Sequence, residues 1–360
     1  MLKLYIRRRL QAEKIILSST LDNYGLVENL VSHMKEIEEK QLISYAQVAN
    51  LVSIILQWPE LNLKEVAENF SKFACNAHTI CDGELRPLGT GLYPVISLIN
   101  HSCSPNAVLV FQGKSAVVRA LQLVPEDSEV CISYIETAAC RAARRKSLQE
   151  QYFFICSCPR CIKSGETDDP LEGYRCRDSE CSGHLLLLPG GSSFQCRKCS
   201  LGRDKDEIKL LEMEANSMSE QALNLVSTHN RQAAISMYKA VEEREASFRH
   251  PLSLELLQTR EKLLKALMEE QAWRDALVTC RSTLPVYEEI YPEIHPLLGL
   301  QYFTCGKLEW LLEETENSIK SLGKALDALR MAYGNNAGIV EEITMRLNEA
   351  RAEASLKLPD

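Results

Sequence analysis

Cysteine spacing is the feature of this sequence that most constrains its fold. Seven of the fourteen cysteines lie between residues 156 and 199, in a stretch rich in glycine, proline and polar residues. Residues 1 to 14 mix three arginines with apolar residues, a pattern unlike a secretory signal peptide. We therefore expect an intracellular chain whose reduced thiols bind metal instead of forming disulfides.

The first cysteine cluster is Cys156, Cys158 and Cys161, three thiols within six residues. That spacing is too close for three separate core positions on one strand or helix, and zinc bound by thiolates accounts for it. Zinc takes four tetrahedral ligands, and Cys103 is our candidate for the fourth. The alternative is a surface loop with three reduced thiols.

The second cluster consists of two pairs, Cys176 with Cys181 and Cys196 with Cys199, separated by 14 residues. It resembles a zinc ribbon, in which each pair sits on a tight turn and the two turns close around one ion. A structural zinc is expected because the segment has too few apolar residues to fold alone. His184 lies between the pairs, and we leave it out because four cysteines already complete the ligand set.

The other six cysteines have no metal-ligand spacing, and each is predicted to be a small buried hydrophobic residue. They are Cys75, Cys81, Cys131, Cys140, Cys280 and Cys305. We expect these thiols to contribute packing and no chemistry.

Apolar periodicity divides the rest of the chain. Residues 2 to 75 have apolar side chains at spacings of three and four, which predicts helices, one of them ending at Trp58-Pro59. Residues 78 to 135 change to short β-rich runs, including a hairpin that turns at Gly113. Residues 141 to 152 return to a helical pattern, residues 156 to 199 are predicted to be loops, and the chain after Glu207 is predicted to be helical.

Two His-Pro dipeptides, at His250 and His295, lie 45 residues apart in this helical tail. Tyr291-Pro292 is echoed 42 residues later by Tyr333-Gly334. Helix pairs of that period predict a tetratricopeptide-like array, in which each pair buries its apolar face on the next. An ordinary helical bundle is the alternative.

Charge is unevenly distributed along the chain. Residues 207 to 360 contain 25 acidic and 17 basic residues, a net charge of −8 that equals the charge of the whole chain. An acidic surface disfavours direct binding to nucleic-acid phosphates and suits basic protein partners, although a need for solubility also accounts for it. No run of about 20 apolar residues is present, so we expect no membrane span.

Three motifs occur in an order that is typical of one enzyme family. Residues 98 to 106 are LINHSCSPN, residues 129 to 134 are EVCISY, and residues 152 to 161 are YFFICSCPRC. Together they resemble the signature of the SET-domain lysine methyltransferases. The context of the third motif, residues 76 to 82, GLYP at 91 to 94 and the helical tail are similar to the SET and MYND branch of that family. The zinc-ribbon insertion resembles its plant members.

The resemblance implies an α+β fold: a mostly β SET core with a helical insert, zinc-stapled post-SET loops and an all-α tetratricopeptide-like tail. The implied domains are the helical SET insert at 1–75, the SET core at 76–137, the post-SET cysteine module at 138–163, the zinc-ribbon-like insertion at 164–205 and the tail at 206–360. Family members normally open with a glycine-containing strand and a MYND zinc finger. Neither precedes the first helix here, so the resemblance implies a chain shortened at its front.

The implied activity is methyl transfer from S-adenosylmethionine to a lysine side chain of a histone or non-histone protein. Such a reaction is an in-line displacement by a neutral amine, so it needs alignment and a dry site more than a strong base. Tyr134 and Tyr152 are the implied catalytic residues that line the lysine channel. The implied cofactor contacts are Asn100, His101, Phe154, Asn76, Ser97 and Asn29. At His78 the sequence departs from an aromatic often found in the family, which bears on the width of that channel.

Each of these residues also has an ordinary structural interpretation, such as His101 as a hydrogen-bonded core histidine or Tyr134 as the polar end of a strand. At the level of the chain, a catalytically weak or inactive form that binds proteins through its helical tail is the second hypothesis. A nucleic-acid-binding zinc ribbon is disfavoured, because no basic patch with interleaved aromatics surrounds the cysteines. Residues 7 to 9 are too short a basic run to assign the compartment, so both nucleus and cytoplasm are expected.

Overall fold

The structure is a computed structural model that describes residues 1–162, 169–188, 191 and 193–357. The chain divides into two compact units. The first unit comprises residues 1–118, 124–135 and 144–156, and the second comprises residues 119–123, 136–143 and 157–360. Among the described helices, none combines the length and the apolar content that crossing a membrane requires.

The first unit begins with helices, as the apolar periodicity predicts. They are α1 (Leu2–Ala12), α2 (Tyr24–Glu28), α3 (Glu39–Leu56) and α4 (Leu63–Asn76). The core between α1, α3 and α4 contains Tyr5, Ala49, Val52 and Val66. Helix α3 is capped by Gln57, whose left-handed backbone (φ 50°) immediately precedes Trp58-Pro59. Asn62 caps the start of α4, and its side chain accepts hydrogen bonds from the backbone amides of Lys64 and Glu65.

Short strand pairs follow α4. The strands are β1 (Ala77–Cys81), β2 (Pro87–Leu92), β3 (Asn100–His101), β4 (Ala107–Gln112), β5 (Ser115–Ala120) and β6 (Cys131–Ile132). Strands β1 and β2 are antiparallel, and β4 pairs with β5 in the predicted hairpin. Strand β3 runs parallel to β6, with Asn100 opposite Cys131 and His101 opposite Ile132. This pairing brings the first two sequence motifs side by side.

Helix α5 (Arg141–Tyr152) has the predicted bounds, but the cysteine-rich stretch after it differs from the prediction. It contains short helices α6 (Pro159–Ile162) and α7 (Asp169–Glu172), then strands β7 (Tyr174–Arg175), β8 (His184–Leu187), β9 (Ser193–Cys196) and β10 (Gly202–Asp204). These strands form an antiparallel sheet in the order β10-β9-β8-β7. The prediction of loops was wrong because each strand is too short to show an alternating pattern. The core of this sheet consists of thiols and Leu185, with Tyr174 and Phe194 packed against them.

The tail is all helical, which confirms the predicted α+β class with an all-α C-terminal part. Its helices are α8 (Lys205–Ser227), α9 (Arg231–Ala246), α10 (Leu254–Glu269), α11 (Trp273–Ile290), α12 (Pro296–Leu311), α13 (Thr315–Tyr333) and α14 (Gly338–Lys357). Both His-Pro dipeptides precede helices: the Nδ1 of His295 accepts the backbone N–H of Leu297 at the start of α12. The Nδ1 of His250 accepts that of Leu252 just before α10. The sequence echo therefore marks helix starts two helices apart.

The domain bounds stay a prediction. The boundary placed between residues 163 and 164 lies outside the described residues. The boundary predicted between residues 205 and 206 lies one residue after the start of α8, whose N-cap Asp204 accepts hydrogen bonds from the amides of Asp206 and Glu207.

Candidate active site and metal centres

A cavity of about 880 Å³ lies in the first unit. Its lining comes from α4, β1, β3, β6 and the segment that follows α5, so residues distant in sequence converge on it. Seven of the eight predicted catalytic and cofactor-binding residues are part of the lining: Asn76, Ser97, Asn100, His101, Tyr134, Tyr152 and Phe154. The eighth, Asn29, lies at the end of α2, where its side chain donates to the carbonyl of Gly25 at 2.9 Å. Asn29 is not part of the lining, and its contact with a cofactor stays a prediction.

The two predicted catalytic tyrosines pack against each other, with ring centroids 4.9 Å apart. The Tyr134 hydroxyl donates to the carbonyl of Ile99 at 2.6 Å, and the Tyr152 hydroxyl donates to the carbonyl of Tyr134 at 3.3 Å. Burial, and then the neighbouring Tyr152, raise the pKa of Tyr134 to about 12. Burial also raises the pKa of Tyr152. Both phenols are therefore neutral at physiological pH, and their oxygen lone pairs act as acceptors.

His101 joins the first two motifs. Its Nδ1 accepts the backbone N–H of Tyr134 at 3.0 Å, and its Nε2 lies 3.2 Å from the Sγ of Cys103. Its ring centroid lies 5.3 Å from that of Tyr134 and 6.0 Å from that of Phe154. The imidazole thus accepts a hydrogen bond from the fold and also lines the cavity. A hydrogen-bonded core histidine and a cofactor contact are therefore compatible interpretations of His101.

Amides and a hydroxyl form the polar part of the lining. The Asn76 side chain donates to the carbonyls of Lys72 and Val31, at 2.8 and 3.2 Å. The Oγ of Ser97 lies 3.0 Å from the carbonyl oxygen of Asn76. The Asn100 side chain is exposed to the cavity and donates to the carboxylate of Glu129 at 2.6 Å. These groups can hydrogen-bond a polar ligand at the same time as the aromatic side chains contact its apolar parts.

The structure adds His33 and Phe153, which sequence reasoning missed. Their rings stack with centroids 5.0 Å apart, and both residues line the cavity. Both have left-handed backbones, with φ of 48° and 60°. Bulky residues rarely adopt that conformation, and Phe153 adopts it directly after α5 ends at Tyr152. Its position between Tyr152 and Phe154 was the only sequence signal, and His33 had none.

The first cysteine cluster is assembled as predicted. The Sγ atoms of Cys103, Cys156, Cys158 and Cys161 all lie within 4.8 Å of one another. The Cys103 and Cys156 sulfurs are 3.9 Å apart. Tetrahedral zinc with Zn–S bonds of about 2.3 Å places its sulfurs about 3.8 Å apart. The four thiols therefore fit one zinc ion, with Cys103 as the fourth ligand. The alternative, a surface loop with three reduced thiols, does not account for the position of Cys103.

The second cluster also has the dimensions of a zinc site. Cys176, Cys181, Cys196 and Cys199 bring their sulfurs within 4.8 Å, with 3.3 Å between Cys176 and Cys199. A Cβ at Gly183 would lie 2.6 Å from the Cys196 sulfur, so this position requires glycine for the cluster to close. His184 is not part of the group of ligands that the structure brings together.

The prediction for the remaining cysteines was partly wrong. Cys280 and Cys305 are buried in the tail, as expected. The other four, Cys75, Cys81, Cys131 and Cys140, are partly exposed. Cys75 and Cys81 line the cavity, where a residue has packing neighbours on one side only.

Comparison with known proteins decides the family. The family model of the SET domain matches residues 4–135. The histone-lysine N-methyltransferase ASHR1 of Arabidopsis thaliana is 53% identical over 362 residues, which cover 99% of this chain and 75% of that protein. The chain belongs to the SET-domain lysine methyltransferases.

Relatives in animals place the chain in the SET and MYND branch. The histone-lysine N-methyltransferase SMYD3 of Mus musculus is 28% identical over 80% of this chain and 59% of its own length. The N-lysine methyltransferase SMYD2-A of Danio rerio is 24% identical over 79% of this chain and 60% of its own length. The chain spans about three fifths of these two relatives. The SET match begins at residue 4, within α1, so α2, α3 and α4 lie inside the matched region, and their assignment as a SET insert stays a prediction.

Proposed function

We propose that the cavity of the first unit binds S-adenosylmethionine and presents its methyl group to a lysine of a protein substrate. The convergence on this one cavity of seven residues that the family resemblance implies carries the proposal. ASHR1 and SMYD3 are named as histone-lysine methyltransferases. For this chain we propose the same substrate class, a lysine of a histone or of another protein.

The cavity suits this cofactor in size and charge. Its volume of about 880 Å³ falls in the range of about 300 to 1,000 Å³ that is usual for ligands of this size. Glu129 is acidic, and none of the described lining residues is lysine or arginine. A sulfonium, an α-amino group and a lysine ammonium are all positively charged, and aromatic faces stabilise such groups. A phosphorylated ligand would lack basic partners in this lining.

Methyl transfer needs alignment and exclusion of water. When bound, S-adenosylmethionine supplies an activated methyl group on a positively charged sulfur. Tyr134 and Tyr152 give their hydroxyl protons to backbone carbonyls, so their oxygen lone pairs can orient the N–H groups of the amine. Phe154 and His101 present rings that limit the space for water around the reacting atoms. The displacement itself requires no charged base from the chain.

We also propose a structural zinc at each cysteine cluster, and a role for the acidic tail in holding basic segments of the substrate protein. The tail carries the net charge of the chain, which supports the second proposal. Localisation in the nucleus, the cytoplasm or both stays a prediction.

The first test is calorimetric titration of S-adenosylmethionine into the zinc-replete chain. We expect a dissociation constant on the order of micromolar. Asn100→Ala should weaken binding more than tenfold, because it removes an exposed amide from the lining. Asn317→Ala is the matched control: this amide is in the tail, where it donates to Glu314, and its loss should leave the affinity unchanged.

Transfer of labelled methyl groups from the cofactor to purified core histones is the second measurement. Incorporation by the wild-type chain and its loss in Asn100→Ala would support the proposal. A folded, zinc-loaded chain that binds no cofactor would contradict the proposed methyl transfer. Protein binding by the helical tail would then be the remaining function.

A further inference from the structure

Lys72 of α4 is a lysine whose side chain is buried. The residue is 7% exposed, although lysine side chains normally extend into water. Its Nζ donates to the backbone carbonyl of Glu28 at 2.8 Å and lies 3.7 Å from a carboxylate oxygen of Glu68, one turn earlier on α4. Because an ammonium loses its hydration on burial, it requires such partners in place of water.

The carbonyl that Lys72 binds lies at the C-terminal end of α2. Glu28 is the last residue of this helix, and the carbonyls of a last turn lack partners within their own helix. A positive charge is favourable there, because the aligned backbone dipoles place partial negative charge at that end. Lys72 therefore fixes the point at which the chain leaves α2.

Two further side chains of α4 bind the segment that follows α2, residues 29 to 33. The hydroxyl of the buried Ser71 donates to the carbonyl of Ser32, and the Asn76 amide donates to the carbonyl of Val31 at 3.2 Å. The segment is neither helix nor strand, so its backbone groups need partners from elsewhere in the fold. Helix α4 supplies these partners and so sets the path of the segment.

This path brings Val31 and His33 into the lining of the cavity, together with Asn76. His33 has a left-handed backbone, with φ of 48°, and its ring stacks on that of Phe153. Such a backbone persists only where the surrounding contacts fix it. The shape of this wall of the cavity therefore depends on how α4 binds residues 28 to 33.

We propose that Lys72 is a positioning residue for S-adenosylmethionine: its ammonium fixes the end of α2, so that Val31 and His33 form their wall of the cavity before the cofactor binds. The inference rests on the proposed function and assigns a residue that does not itself line the cavity. Without the ammonium, the segment leaves this path for part of the time. The cofactor must then reorder the segment on binding, which reduces its affinity.

Lys72→Met tests the proposal because methionine keeps an apolar stem and removes the ammonium. If the segment then occupies its path about a tenth of the time, the dissociation constant of S-adenosylmethionine, measured by calorimetry, rises about tenfold. KM for the cofactor should rise by the same factor, while kcat at saturating cofactor stays within about twofold, because the bound cofactor restores the wall. Lys72→Arg keeps a cation and should bind nearly as the wild type does. An unchanged dissociation constant in Lys72→Met would overturn the proposal.

Tyr5→Phe is the matched control for loss of stability. The hydroxyl of Tyr5 is buried in the core between α1, α3 and α4, where it accepts from the amide of Asn69 at 2.7 Å. Its removal should lower the urea midpoint as Lys72→Met does and leave the dissociation constant unchanged. A similar loss of affinity in Tyr5→Phe would overturn the positioning role, because any weakening of these helices would then reduce binding.

A second variant decides the matter if Lys72→Met does not fold. Ser71→Ala removes the bond to the carbonyl of Ser32 and should raise the dissociation constant about threefold, less than the loss of the ammonium. An unchanged value in a folded Ser71→Ala chain would show that α4 does not position the segment for the cofactor, and would overturn the inference.

Hydrogen exchange measured by mass spectrometry gives a readout that does not depend on activity. In Lys72→Met without cofactor, the amides of residues 29 to 33 should exchange several-fold faster than in the wild type, and those of α3 should not change. Equal exchange of residues 29 to 33 in the two chains would overturn the inference and leave the proposed function intact. Absence of cofactor binding by the wild-type chain would overturn both.

Discussion

Tyr134 shows how one residue connects the parts of the site. Its backbone N–H is bound by His101, its hydroxyl by the carbonyl of Ile99, and its ring packs on that of Tyr152. The hydroxyl is therefore a fixed acceptor on the surface of the cavity. Fixed dipoles of this kind contribute to catalysis because they need no reorganisation during the reaction.

Replacing Tyr134 by phenylalanine should separate this role from folding. The loss of one hydroxyl that orients the amine should lower kcat about 100-fold. The lost bond to Ile99 should lower the free energy of unfolding by about 1 kcal/mol. Steady-state kinetics and urea denaturation measure the two effects.

Tyr287→Phe is the matched control for Tyr134→Phe. It removes a buried tyrosine hydroxyl in the tail that donates to Glu261 at 2.7 Å. It should cost a similar amount of stability and leave kcat near the wild-type value. Equal kcat values for the two variants would show that the Tyr134 hydroxyl only supports the fold.

Motif residues could be placed from sequence, whereas His33 and Phe153 could not. Asn100, His101 and Tyr134 belong to local patterns whose order is itself informative. The stacked pair depends on two left-handed backbones and on a contact between positions 120 residues apart. Neither property leaves a local signature, because left-handed conformations at bulky residues are set by tertiary contacts.

Among the elements, the four-stranded sheet β7 to β10 depends most on its cysteines. Apart from Leu185, its buried core consists of the thiols of Cys176, Cys181 and Cys196. The grouping of the four cysteines of the second cluster was predictable because their spacing within each pair is local. The strands were not, because each has only two to four residues and their pairing follows from closure of the cluster.

Cysteine substitutions should remove zinc one ion at a time. We expect two zinc ions per natively purified chain, measured by plasma mass spectrometry. Cys181→Ser should leave one ion by opening the second cluster, and Cys103→Ser should leave one by opening the first. Cys81→Ser, outside both clusters, should retain two. Two ions in Cys181→Ser would contradict the ribbon site.

Close helix contact in the tail explains why its repeat was only partly visible in the sequence. A Cβ at Gly306 of α12 would lie 2.8 Å from Leu322 of α13, and one at Gly299 would lie 2.8 Å from Leu329. The two helices can approach because these positions have no side chain. Glycine inside a helix is normally unfavourable, so periodicity alone could not assign it a packing role.

For the whole molecule, the uneven charge suggests how substrates are captured. The net charge of −8 is carried by residues 207 to 360, and residues 1 to 206 are neutral overall. Histones are basic, so their encounter with such a chain is favoured by long-range attraction. Salt screens this attraction over about 10 Å at 0.1 M.

Ionic strength should therefore change KM more than kcat. Between 50 and 300 mM salt we expect KM for core histones to rise several-fold, because screening weakens the attraction, while kcat stays nearly constant. A short uncharged peptide with one lysine is the control, and its KM should vary much less. A KM for histones that does not depend on salt would show that the acidic tail takes no part in capture.

Because His33 stacks on Phe153, this side of the cavity can be completed only late in synthesis. At translation rates of about 5 to 20 residues per second, Phe153 leaves the ribosome about 6 to 24 s after His33. During that interval the front helices can form while one side of their future ligand cavity has not been synthesised. A chain that stops before residue 152 can contain folded helices and strands and still lack the side of the cavity that Tyr152, Phe153 and Phe154 line.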